Sequence, residues 1–234
     1  RKKIMFSVEF KEKNCLEFGI LPVTRPSIPA PEENVEEITI PGRDGVLIEK
    51  DGSYKPIVIP VGFNFLSMPE KVNEKYRAAK KWLSGSGNLK FSDDGSAFYK
   101  VLYVKITDVE RTSKRIQNFT AEFTCDPYTY MKSGMQEITD YSNIYNPYSV
   151  SHPDYVIAGE GNCTISVNGK TITANVGQNL TINTDLMLAY RTDGTMQNAE
   201  ITGDYQDLYL IEGENKISIT TGFKLTVIPN WRCL

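Results

Sequence analysis

Two-residue alternation of apolar side chains, repeated in nearly every segment, constrains the fold of this chain most. One run keeps the alternation without a break: Ile57, Ile59, Val61, Phe63 and Phe65. This period places all five side chains on one face, which predicts a strand with one buried side. Pro56 and Pro60 lie on the other face. Because proline has no N–H to donate, we expect this strand at the edge of a sheet.

A single segment follows helical spacing instead. Its apolar residues fall three or four positions apart: Val72, Tyr76, Ala79 and Leu83. This spacing predicts one amphipathic helix. Residues 67–70 match a capping box at its start, and Gly85 and Gly87 are expected to end it. Alternating strands are then predicted over residues 102–106 and 119–125.

The remainder of the chain is predicted to contain strands only. Asn168-Gly169 separates two alternating runs, 163–167 and 172–176, and this dipeptide favours a two-residue hairpin turn. Four later runs lie between turn residues: 186–191, 205–211, 216–220 and 224–228. Many short strands at this spacing predict an antiparallel sandwich or jelly roll.

Charge density divides the chain into two parts. Residues 1–130 contain 20 Lys+Arg and 18 Asp+Glu, whereas residues 131–234 contain 6 and 11. We therefore predict two domains, 1–130 and 131–234, with the boundary within the polar, proline-containing window 126–152. The formal net charge of −3 argues against general nucleic-acid binding, because neutralising phosphates requires a basic surface.

Membrane and export signals are not expected. The longest apolar runs are a few residues long, for example Ile57-Val58-Ile59, which is too short for a transmembrane helix. The basic start Arg1-Lys2-Lys3 is followed by an alternating stretch that includes Glu9, unlike a signal peptide.

Candidate catalytic and metal-binding residues are sparse. The four cysteines lie far apart without a Cys-x-x-Cys pair, so we expect buried, reduced side chains rather than a zinc site or a disulfide framework. His152 is the only histidine, and it follows no triad or metal-ligand pattern. No phosphate-binding loop occurs. We predict a binding or structural protein, not an enzyme, without a cofactor.

Several segments, taken in order, carry a family resemblance. They are residues 35–47, which include Pro41-Gly42-Arg43-Asp44-Gly45, then 122–127, 159–169, 210–217 and 229–232. In this order and spacing they resemble the distal tail proteins of long-tailed, non-contractile phages that infect Gram-positive bacteria. The resemblance extends over essentially the whole chain.

The resemblance implies a hub at the tip of a phage tail. Family members form a homohexameric ring that joins the tail-tube protein to the tail-associated lysin or fibre protein, with receptor-binding proteins as further partners. It also implies a mainly β fold: an N-terminal, tail-tube-related β-sandwich with one α-helix and a C-terminal, galectin-like antiparallel β-sandwich. The expected location is the virion tail tip after synthesis in the host cytoplasm. Neither membrane contact nor nucleic-acid contact beyond DNA passage through the ring is expected.

Five consecutive residues are the candidate oligomer interface: Pro41, Gly42, Arg43, Asp44 and Gly45. Two interpretations are open at this stage. The glycines could make a plain tight connection between two strands. Alternatively, the segment could be the tip of a protruding hairpin that contacts a neighbouring subunit in a cyclic oligomer.

A carbohydrate-binding module is the alternative function, because jelly-roll domains include many lectins. Aromatic side chains on such a surface would pack against sugar rings, and Tyr190, Tyr205 and Tyr209 are the candidates for a glycan or partner contact. Tyr205 and Tyr209 are expected on the same face of one strand, which favours packing in the core or an interface over glycan binding. A glycoside hydrolase is a third, weaker reading, since no acid pair has a suggestive spacing.

Overall fold

The computed structural model describes residues 5–107 and 116–234, so the basic segment at the start of the chain lies outside the described residues. The chain divides into two compact units, Arg1–Thr129 with Leu234 and Tyr130–Cys233. Each unit has its own cluster of buried apolar side chains. Independent folding of the two units stays a prediction.

The first unit is built from nine strands and one α-helix. Their bounds are β1 Val8–Phe10, β2 Lys13–Asn14, β3 Ile20–Pro22, β4 Glu33–Ile38, β5 Leu47–Tyr54, β6 Ile57–Leu66, α1 Val72–Trp82, β7 Gly87–Phe91, β8 Ala97–Ile106 and β9 Ile116–Met131. Seven of these strands form one sheet in the order β2-β1-β7-β8-β9-β6-β3, while β4 and β5 pair separately.

This sheet curls around the core of the first unit. The rings of Phe10 on β1 and Phe123 on β9 lie 5.4 Å apart, although β7 and β8 separate their strands in the sheet. Three strand spacings of a flat sheet would span about 14 Å. Helix α1 closes the core with Trp82, whose indole N–H donates to the Phe10 carbonyl at 3.0 Å. The five alternating apolar side chains between Ile57 and Phe65 are all buried in this core.

The start of the helix differs from the prediction. A 3₁₀ turn, Pro69–Lys71, precedes α1, and Met68 caps it without any side-chain hydrogen bond. The capping box expected at residues 67–70 is therefore wrong. Pro69 has the fixed φ suited to the first helical position, and this moves the cap from Ser67 to Met68. The C-cap is Leu83, whose N–H donates to the Ala79 carbonyl, close to the predicted end.

The second unit contains strands and short 3₁₀ turns. Its strands are β10 Asn143–Asn146, β11 Asp154–Val167, β12 Lys170–Asn183, β13 Leu188–Tyr190, β14 Ile201–Thr202, β15 Gly213–Ile219, β16 Lys224–Ile228 and β17 Arg232–Cys233. The long hairpin β11–β12 is the centre of the unit. Its base pairs with β16 and β13, and its tip pairs with β15 and β14.

The turn of this hairpin and a close packing contact on β11 follow from the sequence. Asn168 and Gly169 both have positive φ, 53° and 85°, as a type I′ turn requires, and Val167 pairs with Lys170. Near the middle, a Cβ at Gly159 would lie 2.3 Å from the Phe223 ring. Glycine therefore lets that ring pack directly on the backbone of β11.

One strand predicted in this unit is wrong. Residues 205–208 form a 3₁₀ turn, Tyr205–Leu208, and Tyr209 is its C-cap. The Asp204 carboxylate accepts from the Gln206 N–H at 3.0 Å and so caps the turn. An aspartate side chain that bonds the backbone two residues later competes with strand formation. Tyr205 and Tyr209 consequently do not share a strand face.

Most of the predicted boundary window packs within the second unit. Tyr130 and Ile144 are buried. The Met131 N–H donates to the Trp231 carbonyl, and the Asn230 N–H donates to the Gly134 carbonyl, both at 2.8 Å. The chain end thus lies against the start of this unit. Cys15, Cys125 and Cys163 are buried free thiols. Among the described residues, no helix is long and apolar enough to cross a membrane. The predicted fold class, mainly β with one α-helix, is confirmed.

Candidate assembly interface of the first unit

The candidate interface residues lie at the tip of an isolated hairpin. Among the described residues, strands β4 and β5 pair only with each other, and residues 39–46 connect them. We call residues 33–54 the arm. Its five candidate residues, 41–45, are all exposed.

The base of the arm is fixed to the first unit. The Lys55 N–H donates to the Glu32 carbonyl at 2.8 Å, and the Tyr54 ring meets the Tyr128 ring edge-on at 6.2 Å. Above this base, the strand register shifts between Glu33 and Val35. A bulge of this kind bends the hairpin and increases its twist. The arm therefore leaves the unit from an anchored, bent base.

Hydrogen bonds inside the bulge keep its shape. The Asp51 carboxylate accepts from the N–H of Ser53 at 2.8 Å and from its hydroxyl at 2.7 Å. These two donors stabilise the charged form and lower the pKa of Asp51. The Asn34 side chain donates to the Ser53 hydroxyl at 2.6 Å, which links the two strands at the bulge.

The tip depends on its two glycines. The Arg43 N–H donates to the Ile40 carbonyl at 3.1 Å, and Gly42 and Gly45 have φ of 83° and 79°. No atom would lie within 4 Å of a Cβ at either glycine. Glycine is therefore needed at these two positions for the positive φ and not for space. In the described part of the chain, nothing else contacts the tip there.

The arm exposes an unusual amount of apolar surface. Five large apolar side chains on it are at least 38% exposed: Val35, Ile40, Val46, Leu47 and Ile48. Successive residues point to opposite faces of the hairpin, so these side chains are distributed over both faces. Exposed apolar surface of this kind typically marks a contact site. Within the described residues no second layer packs against the hairpin, so the side chains have no core of their own.

Charges alternate with these apolar residues. Lys50 forms an ion pair with Glu33, and the hydrogen bond from its ammonium group to that carboxylate raises the pKa of Lys50. Lys55 lies 3.4 Å from the Glu32 carboxylate. Both pairs lie near the base, so most of the positive charge of this region is already paired with carboxylates there.

Two free strand edges form a second candidate surface. Strand β6 pairs with β9 along its whole length, but on its other side β3 reaches only residues 63–65. Strand β7 pairs with β8 only at Tyr99–Val101. In the described parts of the chain, the outer edges of residues 57–61 and 102–106 therefore have no strand partner. Because both segments lie beside residues 121–125 of β9, they are level with one another.

The prolines explain how the β6 edge stays open. Val23 donates its N–H to the Gly62 carbonyl at 2.8 Å, so Gly62, and by alternation Pro60 and Val58, direct their backbone groups to this side. Pro60 has no N–H to offer, which protects the edge from indiscriminate pairing. The predicted edge position therefore holds for the first half of β6 and not for its second half.

Exposed side chains accompany these edges. Val58 on β6 and Leu102 and Tyr103 on β8 are each at least 45% exposed. Lys105 reaches Glu122 on the neighbouring strand at 3.5 Å. A cavity of about 330 Å³ separates the β6 edge from Pro29 and Ala30.

The three candidate tyrosines of the second unit occupy different environments. Tyr190 lies on β13, Tyr205 packs against the apolar core, and Tyr209 stacks on the His152 ring with centroids 4.0 Å apart. Burial raises the pKa of all three phenols. One face of Tyr209 is thus already covered. Among the described residues, no ring contact joins the three tyrosines into one platform.

His152 has a structural environment that the sequence did not signal. Its Nδ1 lies 2.9 Å from the Asp185 carboxylate and its Nε2 lies 2.7 Å from the Arg232 guanidinium. With both ring nitrogens engaged, the imidazole ties four segments of the second unit together. Within residues 5–107 and 116–234, no group of three His, Cys, Asp or Glu side chains could hold a metal ion.

Known proteins match this chain both in sequence family and in fold. Residues 13–125, which include the arm, match the family model of the phage tail protein RIFT-related domain. The fold is similar to the crystal structure of the Dit protein (gp 19.1) of phage SPP1, described as a paradigm of the hub adsorption apparatus in phages that infect Gram-positive bacteria. The TM-score is 0.69 at 14% identity, over 98% of this chain and 100% of that one. No curated protein sequence matches the chain. The resemblance found in the sequence is confirmed.

Proposed function

We propose that this chain, with its phage tail RIFT-related domain and the fold of the SPP1 Dit protein, is the structural hub of a siphophage tail tip. Copies of the first unit form a closed ring. One side of the ring meets the tail-tube protein and the other meets the tail-associated lysin or fibre protein. The second unit is directed to receptor-binding proteins. The ring passes DNA without binding it, and the protein catalyses no reaction.

The isolated arm is the observation that carries the proposal. It buries almost none of its apolar side chains in its own unit, yet it is anchored at its base. Each of the five exposed apolar side chains would contribute about 1 kcal/mol on half-burial. An arm that is received by a different surface of the next copy makes a head-to-tail contact, and such contacts close into rings.

The two free edges support the same arrangement. The edge of β6 and the edge of β8 lie on opposite sides of β9. If the β8 edge of one copy faces the β6 edge of the next, the sheets of successive copies continue around the ring and no edge stays open. The residues favour a cyclic oligomer in this way, whereas the number six comes from the resemblance.

Deleting residues 36–54 tests the arm. The deletion joins Val35 to Lys55 near the base of the arm, where Glu33 and Tyr54 are paired, and it removes no side chain of the apolar core. We expect monomers that keep the melting transition of both units. A substitution at the tip, Arg43→Glu, should weaken the ring more than Lys13→Glu, which changes an exposed lysine on β2. A deletion variant that still forms rings would rule out the arm as the contact.

The carbohydrate-binding alternative has less support. The candidate tyrosines 190, 205 and 209 lie in three separate environments, as described above. Titration with cell-wall polysaccharide tests it directly, with Tyr190→Ala as the variant. Saturable binding that this variant abolishes would favour the alternative.

A further inference from the structure

We propose that the arm of one copy binds across helix α1 of the neighbouring copy, where carboxylates of the arm meet the basic C-terminal half of the helix. This inference rests on the proposed ring and specifies the surface that receives the arm. The occupant of the helix face is a second copy of this chain.

The arm is strongly acidic. Residues 32–55, which are the arm with one flanking residue at each end, contain seven acidic and three basic side chains, a net charge of −4. Two of the three cations, Lys50 and Lys55, are paired with Glu33 and Glu32 at the base. Beyond the base, Glu36, Glu37 and Glu49 make no ion pair within the described residues. A surface that receives the arm must therefore be basic.

The strand register places two of these carboxylates directly opposite each other. Glu36 pairs with Glu49 across the arm, and the next pair towards the tip is Ile38 with Leu47 on the same face. Like charges opposite each other destabilise a sheet, with Cβ atoms about 5 Å apart. An exposed arm of an isolated chain gains nothing from this pair. Cations from a partner would convert the repulsion into attraction.

Helix α1 offers cations at a matching spacing. Residues 69–82 contain five basic and two acidic side chains, a net charge of +3. Lys75 is engaged, since its ammonium group donates to the Leu66 carbonyl at 3.0 Å, and Lys80 lies over the Tyr76 ring. Arg77 and Lys81 are exposed, and within the described residues their side chains make no ion pair or hydrogen bond.

Arg77 and Lys81 are four positions apart and so are neighbours on one helix face, with about 6 Å between their Cβ atoms. This separation is close to that between the Cβ atoms of Glu36 and Glu49, so two cations can face two anions. The helix is also preceded by exposed apolar side chains, Leu66 and Met68. They add exposed apolar surface at the start of the helix, as Ile38 and Leu47 add apolar surface next to the acidic pair of the arm.

Charge reversal with rescue tests the inference. One variant is Glu36→Lys with Glu49→Lys, the second is Arg77→Glu with Lys81→Glu, and the third combines all four changes. The first keeps two like charges opposite each other, so the stability of the arm itself should not change. Mass photometry over a concentration series measures the ring, with Lys216→Glu on the second unit as the control.

We expect either reversed pair alone to raise the dissociation constant of each contact between copies by about tenfold. The combined variant should restore this constant to within a few-fold of wild type. Glu36→Gln with Glu49→Gln should weaken it less than the reversal. Rising salt should weaken the wild-type ring, because exposed ion pairs are screened.

Three outcomes overturn the inference. Rings unaffected by the helix reversal would mean that the arm binds another surface. A combined variant as weak as the single reversals would mean that the two pairs do not meet. Assembly of the arm variants only with an added tail-tube or lysin protein would assign the arm to that partner. Wild-type protein without any ring would instead contradict the proposed function.

Discussion

Replacing Gly134 by alanine perturbs the packing of the chain end on the second unit. A Cβ at this position would lie 2.1 Å from the backbone nitrogen of Trp231 and 2.8 Å from its Cβ. Non-bonded atoms of this size sit at about 3.5 Å, so the segment around Trp231 must move by roughly 1 Å or more. The obstacle is backbone, which no side-chain rotation can avoid.

The magnitude follows from the contacts that this movement breaks. The Asn230 N–H donates to the Gly134 carbonyl and the Met131 N–H donates to the Trp231 carbonyl, both at 2.8 Å. Each bond contributes about 1 kcal/mol net. The Trp231 side chain, only 7% exposed, loses up to about 3 kcal/mol of packing. We expect the free energy of unfolding to fall by about 2–5 kcal/mol.

Urea unfolding followed by tryptophan fluorescence measures this change. In a Trp82→Phe background, emission comes from Trp231 alone and reports the second unit. Gly95→Ala is the matched control, because a Cβ there meets no atom within 4 Å and requires no positive φ. The control should stay within about 0.5 kcal/mol of its parent. A Gly134→Ala variant that unfolds at the same urea concentration as its parent would refute the packing argument.

Other predictions concern buried groups. Tyr155→Phe should destabilise the second unit by about 1–3 kcal/mol in thermal melts, because it leaves the buried Leu208 carbonyl without its 2.7 Å donor; exposed Tyr145→Phe is the control. Burial and a neighbouring carboxylate raise the pKa of Cys125 to about 12, so at pH 8 its thiol should resist a disulfide reagent in native protein, whereas Cys233 should react first. A chelator should leave the melting temperature unchanged; a fall of several degrees would indicate a metal site.

Local patterns in the sequence predicted the strands well. The alternation from Ile57 to Phe65 and the Asn168-Gly169 turn are short-range signals, and the structure follows both. The error at residues 205–211 has a local cause too. A 3₁₀ turn of four residues is too short to establish a period of its own, and the Asp204 cap looks like an ordinary loop residue.

The assembly surface could be predicted only in part. The turn residues Gly42 and Gly45 indicated a reversal of the chain, but not that the two strands beside it leave the main sheet. The opposition of Glu36 and Glu49 depends on the strand register, which the bulge above Glu33 shifts. Pro60 indicated the free edge of β6, but the free edge of β8 depends on the order of strands distant in sequence, which no local pattern encodes.

Negative-stain electron microscopy of the purified protein at its highest soluble concentration tests the central claim most directly. The proposed head-to-tail contact predicts closed rings, and six copies, the number that the resemblance implies, give a mass of roughly 158 kDa, six times 26.4 kDa. Two-fold dimers would contradict it, because they bury the same patch on both copies. Monomers alone would contradict the claim that the arm and the two edges bind a second copy.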